Sequence, residues 1–215
     1  MHSLAGRVEF PPMHDTSLTL LDRLRQSPDS ETWNRFAASY APLIRAWLSR
    51  YDVHDSDSDD LGQEVLLAIF QSVAQFDHNG NAGAFRAWIK QILVNRLRNY
   101  WRKRTRDVSI SAGISIDERL AELEDPESSL SLLWNKEHDQ HVLGALLRSV
   151  ERHFTPDTWS AFTRVALDGE KANTVAKDLG ISLNAVFVAK SRVLNRLRQE
   201  AEGLIESSSL FFRKH

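Results

Sequence analysis

The stretch Gly83–Arg106 decides the fold, because its sequence GAFRAWIKQILVNRLRNYWRKRTR has the pattern of one long helix. Eight cations and no anion stand among its 24 residues. Apolar side chains recur at helical spacing, at Phe85, Trp88, Ile89, Ile92, Leu93, Leu97, Tyr100 and Trp101. Cations, amides and aromatic rings on one rigid element are typical of nucleic-acid binding, and exposed aromatic rings suit single strands. The pattern by itself also fits a solvated helix or one that lies on a membrane.

The composition indicates a globular protein without disulfides. The chain has 215 residues, of which 42% are hydrophobic and 26% charged, and it contains no cysteine. Disulfides and thiolate metal sites are therefore excluded. No apolar run approaches the roughly 20 residues that span a bilayer, and residues 1–15 lack the apolar core of a signal peptide. We therefore expect a cytoplasmic protein with no membrane span.

Charge is segregated along the chain, although the net charge is only -2. Six acids and no Lys or Arg lie between Asp52 and Glu64. Six more acids lie between Asp117 and Glu127, with Arg119 as the only cation. The basic helix stands between these two acidic stretches, which predicts that different faces of the protein contact different partners.

The sequence predicts an all-α fold. Helices are expected over Ser17–Gln26, from just after Ser30, over Leu43–Tyr51 and over Leu61–Val73. Pro42 is expected to open the helix Leu43–Tyr51, because the missing N–H of proline costs nothing at the first helical position. Acids at the start of Leu61–Val73 favour the helix dipole. The sequence DHNGNAG, residues 77–83, predicts a loop before the basic helix.

The chain divides into two small helical domains joined by a linker. We expect an N-terminal domain over residues 1–106, an acidic linker over 107–129, a C-terminal domain over 130–202 and a tail over 203–215. The linker is polar, acidic and serine-rich, and it ends near Pro126. Helical patterning resumes near Leu130 and runs to about Phe154, and Thr155 and Pro156 open a further helix.

The segment Asn173–Arg198, NTVAKDLGISLNAVFVAKSRVLNRLR, has the residue types of a helix-turn-helix. Gly180 allows the sharp turn, Ile181 fills the joint and Ser182 can cap the second helix. Val186 and Ala189 are expected to face back to the first helix. The second helix ends in cations, as a groove-binding helix requires, although such a unit also occurs as plain packing.

Three motifs together resemble the bacterial sigma factors of the extracytoplasmic-function (ECF) group. DSDDLGQEVLLAIF, Asp57–Phe70, resembles the helix that docks on the large polymerase subunit in that family. FRAWIKQILVNRLRNYWRKR, Phe85–Arg104, resembles the helix that reads and melts the minus-ten promoter element. The helix-turn-helix resembles the reader of the minus-thirty-five element. The likeness spans about Leu18 to Glu200, and the first two motifs carry its specificity.

The resemblance implies three sets of contact residues. The polymerase-binding set is Asp57, Asp60, Leu61, Gln63, Glu64 and Phe70. The minus-ten set is Asn79, Asn81, Trp88, Gln91, Asn95, Arg98, Asn99 and Arg102. The minus-thirty-five set is Ser182, Asn184, Phe187, Val188, Lys190, Ser191, Arg192 and Arg196. The implied partners are core RNA polymerase and promoter DNA, with an anti-sigma factor as a further candidate, and no cofactor is implied.

Two features leave alternatives open. Phe187, Val188 and Ala189 stand where many relatives have Lys-Ser-Arg, and such residues either touch thymine methyl groups or pack inward. Trp88 either contacts DNA or packs in the core. The loop over residues 77–83, with Asn95 and Gln91, is expected to hold a flipped non-template base.

The sequence favours a sigma factor over other classes of protein. His138 and His141 have the spacing of metal ligands, but no third ligand accompanies them, so we expect no metal. No nucleophile elbow or phosphate-binding loop is present, so we expect no enzyme. The alternative function is a stand-alone helix-turn-helix regulator that binds duplex DNA without polymerase. The acidic docking motif beside the basic helix, which such a regulator does not require, separates the two.

Overall fold

A computed structural model describes residues 20–26, 29–77, 83–107, 116–202 and 204–205. Within these ranges the chain forms nine α-helices and no strand, so the all-α fold is confirmed. The helices are α1 (Leu20–Gln26), α2 (Ser30–Arg50), α3 (Asp55–Ser72), α4 (Ala84–Asp107), α5 (Ile116–Glu124), α6 (Ser129–Glu151), α7 (Pro156–Ala166), α8 (Ala172–Leu179) and α9 (Leu183–Ala201). A short 3₁₀ turn, Val73–Gln75, follows α3. No helix in the described ranges combines the length and apolar character that a membrane crossing requires.

Pro42 does not begin a helix, so this expectation was wrong. Helix α2 continues through Pro42 from Ser30 to Arg50. A proline inside a helix removes one backbone hydrogen bond and destabilises it by about 3 kcal/mol. Seven side chains of α2 are buried, on both sides of the proline. Their burial outweighs this penalty, since each large apolar side chain contributes about 1.5–3 kcal/mol.

Side-chain caps fix where several helices begin. Asp29 accepts a hydrogen bond from the Thr32 amide at 2.6 Å, at the start of α2. Ser128 does the same for the Ser131 amide at the start of α6. The acids from Asp55 onward lie inside the first turns of α3, so this helix begins six residues before the predicted Leu61. Their charges favour the positive end of the helix dipole.

One large core joins residues from both predicted domains. Its buried side chains run from Leu20 in α1 to Ile205 beyond α9. Trp47 of α2 meets Trp134 of α6 edge-on, with ring centroids 5.1 Å apart. Helix α6 therefore packs on the N-terminal helices and is not separated from them.

The segment predicted as a linker contains a packed helix. Leu120 and Leu123 of α5 are fully buried in the large core. Because each such side chain stabilises the fold by about 1.5–3 kcal/mol, α5 is held firmly against α4 and α6. Residues 108–115 of the predicted linker and most of the tail lie outside the described residues. The boundaries of the two domains stay a prediction.

A second, small core holds the helix-turn-helix together. It consists of Ala161, Val175, Ala176, Val186 and Ala189, from α7, α8 and α9. Gly180 between α8 and α9 has a left-handed backbone with φ of 65°, which glycine adopts without strain. Ile181 packs against this core, as the sequence predicted.

Candidate functional site

Two cations of the basic helix α4 point into the protein. Arg86 and Lys90 are each only 8% exposed, on the side of α4 that faces α6. The Arg86 Nη1 donates to both carboxylate oxygens of Asp139 at 2.8 Å. The Lys90 Nζ donates to the Ser131 Oγ at 2.5 Å, and burial lowers the pKa of Lys90 below its ordinary value. These two cations stabilise packing and are not offered to DNA.

The exposed side of α4 carries most of the predicted minus-ten residues, and an acid of α5 lies on it. The Glu124 carboxylate accepts hydrogen bonds from Arg98 at 2.8 and 3.3 Å and from the Gln91 amide at 3.0 Å. The bond from Arg98 holds the pKa of Glu124 below its usual range. Two predicted base-reading side chains are therefore engaged by Glu124.

Three further minus-ten residues, Asn95, Asn99 and Arg102, make hydrogen bonds within α4. The Asn95 Oδ1 accepts a hydrogen bond from Gln91 at 3.4 Å, and the Asn99 Oδ1 accepts one from Arg102 at 3.0 Å. Asn95, Asn99 and Arg102 are exposed. Asn79 and Asn81 lie outside the described residues, as does most of the loop assigned to base capture.

Trp88 packs against aromatic neighbours while part of its ring stays exposed. Its ring centroid lies 5.0 Å from that of Phe76 and 5.5 Å from that of Phe85. The side chain is half-buried at the edge of the large core. Packing and an outer contact surface are therefore both present at this residue.

Helix α3 presents a mixed acidic and apolar strip. Asp60, Gln63 and Glu64 are exposed, and within the described part of the chain no side-chain hydrogen bond or ion pair engages them. One turn further on, Leu67 is 53% exposed and Phe70 is 40% exposed. The sequence reasoning missed Leu67. Its spacing of three and four residues from Glu64 and Gln63 was the signal that it shares their face.

Two members of the polymerase-binding set are engaged inside the protein. Leu61 is 5% exposed, so it supports α3 from within and offers no contact surface. Asp57 accepts hydrogen bonds from the Tyr100 hydroxyl and from Arg104 Nη1, both at 2.7 Å. The bond from Tyr100 is the main reason that the pKa of Asp57 is lowered. Asp57 thus fixes α3 against α4.

The first two turns of α9 have one exposed face and one buried face. Ser182 caps α9, because its Oγ accepts the Ala185 amide at 3.1 Å. Asn184, Phe187, Val188 and Ser191 are exposed, whereas Ala189 is buried. The structure therefore resolves the alternative at this tripeptide, because Phe187 and Val188 point outward and Ala189 points inward.

The cations of α9 are not equivalent. Arg192 is exposed and Lys190 is half-buried. Arg196 pairs with the buried carboxylate of Glu200 at 2.8 Å, and Arg23 of α1 reaches the same carboxylate at 3.4 Å. Glu200 thus connects α9 to α1, and Arg196 is paired with that carboxylate within α9.

The two histidines singled out by spacing have structural partners. The buried His138 lies 3.2 Å from the Tyr40 hydroxyl and 3.1 Å from Asp139, and His141 bonds to the Ser39 carbonyl. Among the described residues no three potential metal ligands come together.

Known proteins resemble this chain over the helices that carry the candidate site. Residues 36–107, which span most of α2, all of α3 and all of α4, match the family model for sigma-70 region 2. Over 199 residues the chain is 24% identical to the ECF RNA polymerase sigma factor SigE of Mycolicibacterium smegmatis. That alignment covers 93% of this chain and 72% of the relative.

Most of α2, with α3 and α4, therefore forms the module that matches sigma-70 region 2. The similarity to SigE runs beyond this module through the helix-turn-helix. The two likenesses together support a sigma factor of the extracytoplasmic-function group, with a role in transcription initiation.

Proposed function

We propose that the chain is a sigma factor that binds core RNA polymerase through α3, reads and melts the minus-ten element through α4, and binds the minus-thirty-five element through α9. The observation that carries the proposal is the strip on α3. Its acids are exposed, and no side-chain partner within the described residues satisfies them. Unpaired carboxylates beside exposed apolar side chains are suited to a basic, partly apolar helical partner.

Docking on polymerase is assigned to Asp60, Gln63, Glu64, Leu67 and Phe70. Phe70 is supported by the ring of Trp33, whose centroid lies 4.9 Å away in an edge-on arrangement. The apolar end of the strip would supply the buried centre of the contact, and the acids would supply its orientation. Asp57 and Leu61 would act indirectly, by holding α3 in place.

Minus-ten recognition is assigned to the exposed side of α4, with Asn95 as the residue that holds a flipped base. Its amide can donate and accept, as the edge of a base requires. We expect Asn95→Ala to weaken promoter melting more than duplex binding. Permanganate footprinting of the holoenzyme on promoter DNA would measure this, and unchanged thymine reactivity would contradict the role.

Minus-thirty-five recognition is assigned to α9, whose open face begins at Asn184. The small core behind α9 leaves that face free to enter a major groove, as in other helix-turn-helix proteins. Core polymerase and promoter DNA are then the two partners, and an anti-sigma factor is a further candidate. We propose no cofactor and no catalytic activity for the chain itself, and we expect it to act in the cytoplasm beside polymerase.

Run-off transcription with purified core polymerase tests the proposal. Asp60→Arg together with Glu64→Arg should abolish capture of core polymerase, because the strip then repels a basic partner. The matched control is Glu151→Arg with Asp168→Arg, which makes the same charge change at exposed acids on α6 and after α7. Circular dichroism should show both double variants folded.

Two outcomes would contradict the assignment. The strip is not the docking surface if the Asp60/Glu64 variant captures core polymerase as strongly as the wild type. The function itself is wrong if the wild-type chain binds duplex promoter DNA specifically without polymerase and fails to direct transcription with it. That second outcome would favour the stand-alone regulator.

A further inference from the structure

The open face of α9 carries an apolar patch where sequence readers usually carry polar side chains. Leu183 is 40% exposed, Phe187 is 52% exposed and Val188 is 45% exposed. Phe187 and Leu183 are four residues apart, so they lie on one side of the helix. Val188 lies four residues after Asn184 on the neighbouring row.

This exposure is not a by-product of folding. The small core is filled by Val186 and Ala189 of α9 together with residues of α7 and α8. The Ser182 cap and the left-handed Gly180 fix the start of α9 independently of the patch. Truncating Phe187 or Val188 should therefore leave the fold intact, because exposed positions usually change stability by less than about 0.5 kcal/mol.

The neighbours of the patch suit duplex DNA better than a protein. The exposed Asn184 and Ser191 flank the patch, and the cationic Arg192 follows. Three side chains among such polar groups supply far less than the roughly 800 Å² that each partner buries in a specific protein interface. A major groove rich in thymine offers the matching chemistry, because each thymine presents a 5-methyl group beside a hydrogen-bond acceptor.

We propose that Phe187 and Val188 read thymine 5-methyl groups in the upstream promoter element, with Leu183 flanking the contact. This inference rests on the proposed binding of α9 to the minus-thirty-five element and adds its chemical specificity. The element should contain neighbouring thymines that are selected by apolar contact. Asn184 and Ser191 supply the accompanying hydrogen bonds to base edges or phosphates.

Removing only the methyl groups tests the proposal. The holoenzyme would first select its preferred sequences from duplex fragments that have a randomised upstream region. Deoxyuridine would then replace the selected thymines, which removes each methyl group and keeps the base pairing. We expect binding to weaken about fourfold for each methyl lost, as the burial of one such group predicts.

Variants make the test specific to the patch. Phe187→Ala with Val188→Ala should lose the thymine enrichment and become insensitive to deoxyuridine. Leu167→Ala is the matched control, since Leu167 is an exposed leucine of the same module outside α9 and is 39% exposed. The control should select thymines as the wild type does.

The outcomes separate this inference from the proposed function. If the wild-type holoenzyme transcribes selected fragments but is indifferent to deoxyuridine, the methyl contact is wrong and the sigma function stands. The double variant Phe187→Ala with Val188→Ala gives a further outcome. If it lowers transcription equally on the thymine and the deoxyuridine fragments and selects the same sequence as the wild type, the patch docks a protein and the proposal is overturned. A holoenzyme that transcribes no selected fragment contradicts the proposed function itself.

Discussion

The two basic helices α4 and α9 use their cations in opposite ways. On α4, Arg86 and Arg98 pair with acids of α6 and α5, and Arg104 pairs with Asp57 of α3. On α9, the exposed face is neutral and apolar over its first two turns, and its exposed cations follow. The charge counted in the sequence therefore overstates the positive charge that α4 leaves exposed, whereas the exposed face of α9 begins with uncharged side chains.

The difference follows from position in the fold. Helix α4 lies between α3, α5 and α6, so three neighbours supply acids or hydroxyl groups to its cations. Within the described residues, the small core packs the first half of α9 against α7 and α8. A helix in the middle of a bundle must satisfy its charges internally, because a buried unpaired charge is strongly destabilising.

The largest loss of stability is expected on breaking the most buried ion pair of α4, between Arg86 and Asp139. Asp139→Asn removes the carboxylate that accepts two hydrogen bonds from the buried Arg86, and breaking a buried pair typically costs about 3–5 kcal/mol. Both side chains retain slight solvent access, so we expect about 3 kcal/mol. Urea unfolding followed by tryptophan fluorescence would measure the loss.

Helix α9 provides the matched comparison for this change. Arg198→Ala removes an exposed cation that donates to Asn195 and to no other described residue, so the expected change in stability is below about 0.5 kcal/mol. Arg86→Met combined with Asp139→Leu should recover most of the loss, since apolar replacement of a buried pair is often neutral. Equal stability losses for Asp139→Asn and Arg198→Ala would refute the contrast between the two helices.

The same buried cluster should make the fold sensitive to pH. Burial lowers the pKa of His138 below its ordinary value, although the adjacent Asp139 favours the proton. Burial prevails because the ring is fully enclosed and Arg86 already engages the Asp139 carboxylate. The fold therefore favours the neutral form of His138, whose ring also bonds to the Tyr40 hydroxyl.

The sign of the pH effect follows from that lowered pKa. The contribution of His138 to stability is complete above the unfolded pKa of about 6.5 and falls as the pH drops toward the folded pKa. The loss is at most about 1.4 kcal/mol per pH unit in that window. Urea unfolding between pH 8 and pH 5 should show this slope in the wild type and in His153→Gln, an exposed control, but not in His138→Gln. An unchanged slope in His138→Gln would assign the effect to another group.

The sequence was sufficient for the fold class and for the motifs, because both depend on local patterns. The period of apolar residues predicted α4 to within one residue at each end, and Gly180 with Ser182 predicted the joint of the helix-turn-helix. Pro42 misled the prediction, because local preference at a proline gave way to burial along the whole of α2.

Pairing between distant residues could not be predicted in the same way. Glu124 bonds to Arg98 across 26 residues, and Asp139 bonds to Arg86 across 53. The sequence showed that these regions are acidic, but it did not show which cations their carboxylates would pair with, because sequence spacing does not say which helices become neighbours. The pair of Arg196 with Glu200 is a different case, because the two residues lie four apart on α9 and their spacing was open to the sequence analysis.

One substitution at Glu124 should free side chains on the exposed face of α4, as they are on the exposed face of α9. Glu124→Gln should release Arg98 and Gln91 for nucleic acid while costing less than about 1 kcal/mol of stability, since the pair is partly exposed. We expect the affinity of the full chain for a single-stranded oligonucleotide to rise about two- to fivefold, the range that a surface ion pair spans. Fluorescence anisotropy at fixed salt would detect this change.

Glu127→Gln is the control for that experiment. It removes the same charge from an exposed residue just beyond α5, so it should raise the affinity less. Identical increases for Glu127→Gln and Glu124→Gln would show that total charge acts, and not the contact of Glu124 with α4.

The smallest expected effect concerns Arg192 on α9, which we assign to phosphate or base contact. Arg192→Ala should lower the salt slope of duplex binding by the holoenzyme by about 1, as the loss of one phosphate contact predicts. Arg196→Ala, one turn later, removes the nearer partner of the buried Glu200, so it should act on stability and leave the slope nearly unchanged. Transcription by the Arg192 variant should recover on templates whose minus-ten region is already melted, because α4 then needs little help from α9. Equal losses on melted and duplex templates would mean that Arg192 supports folding or another partner, and not upstream recognition.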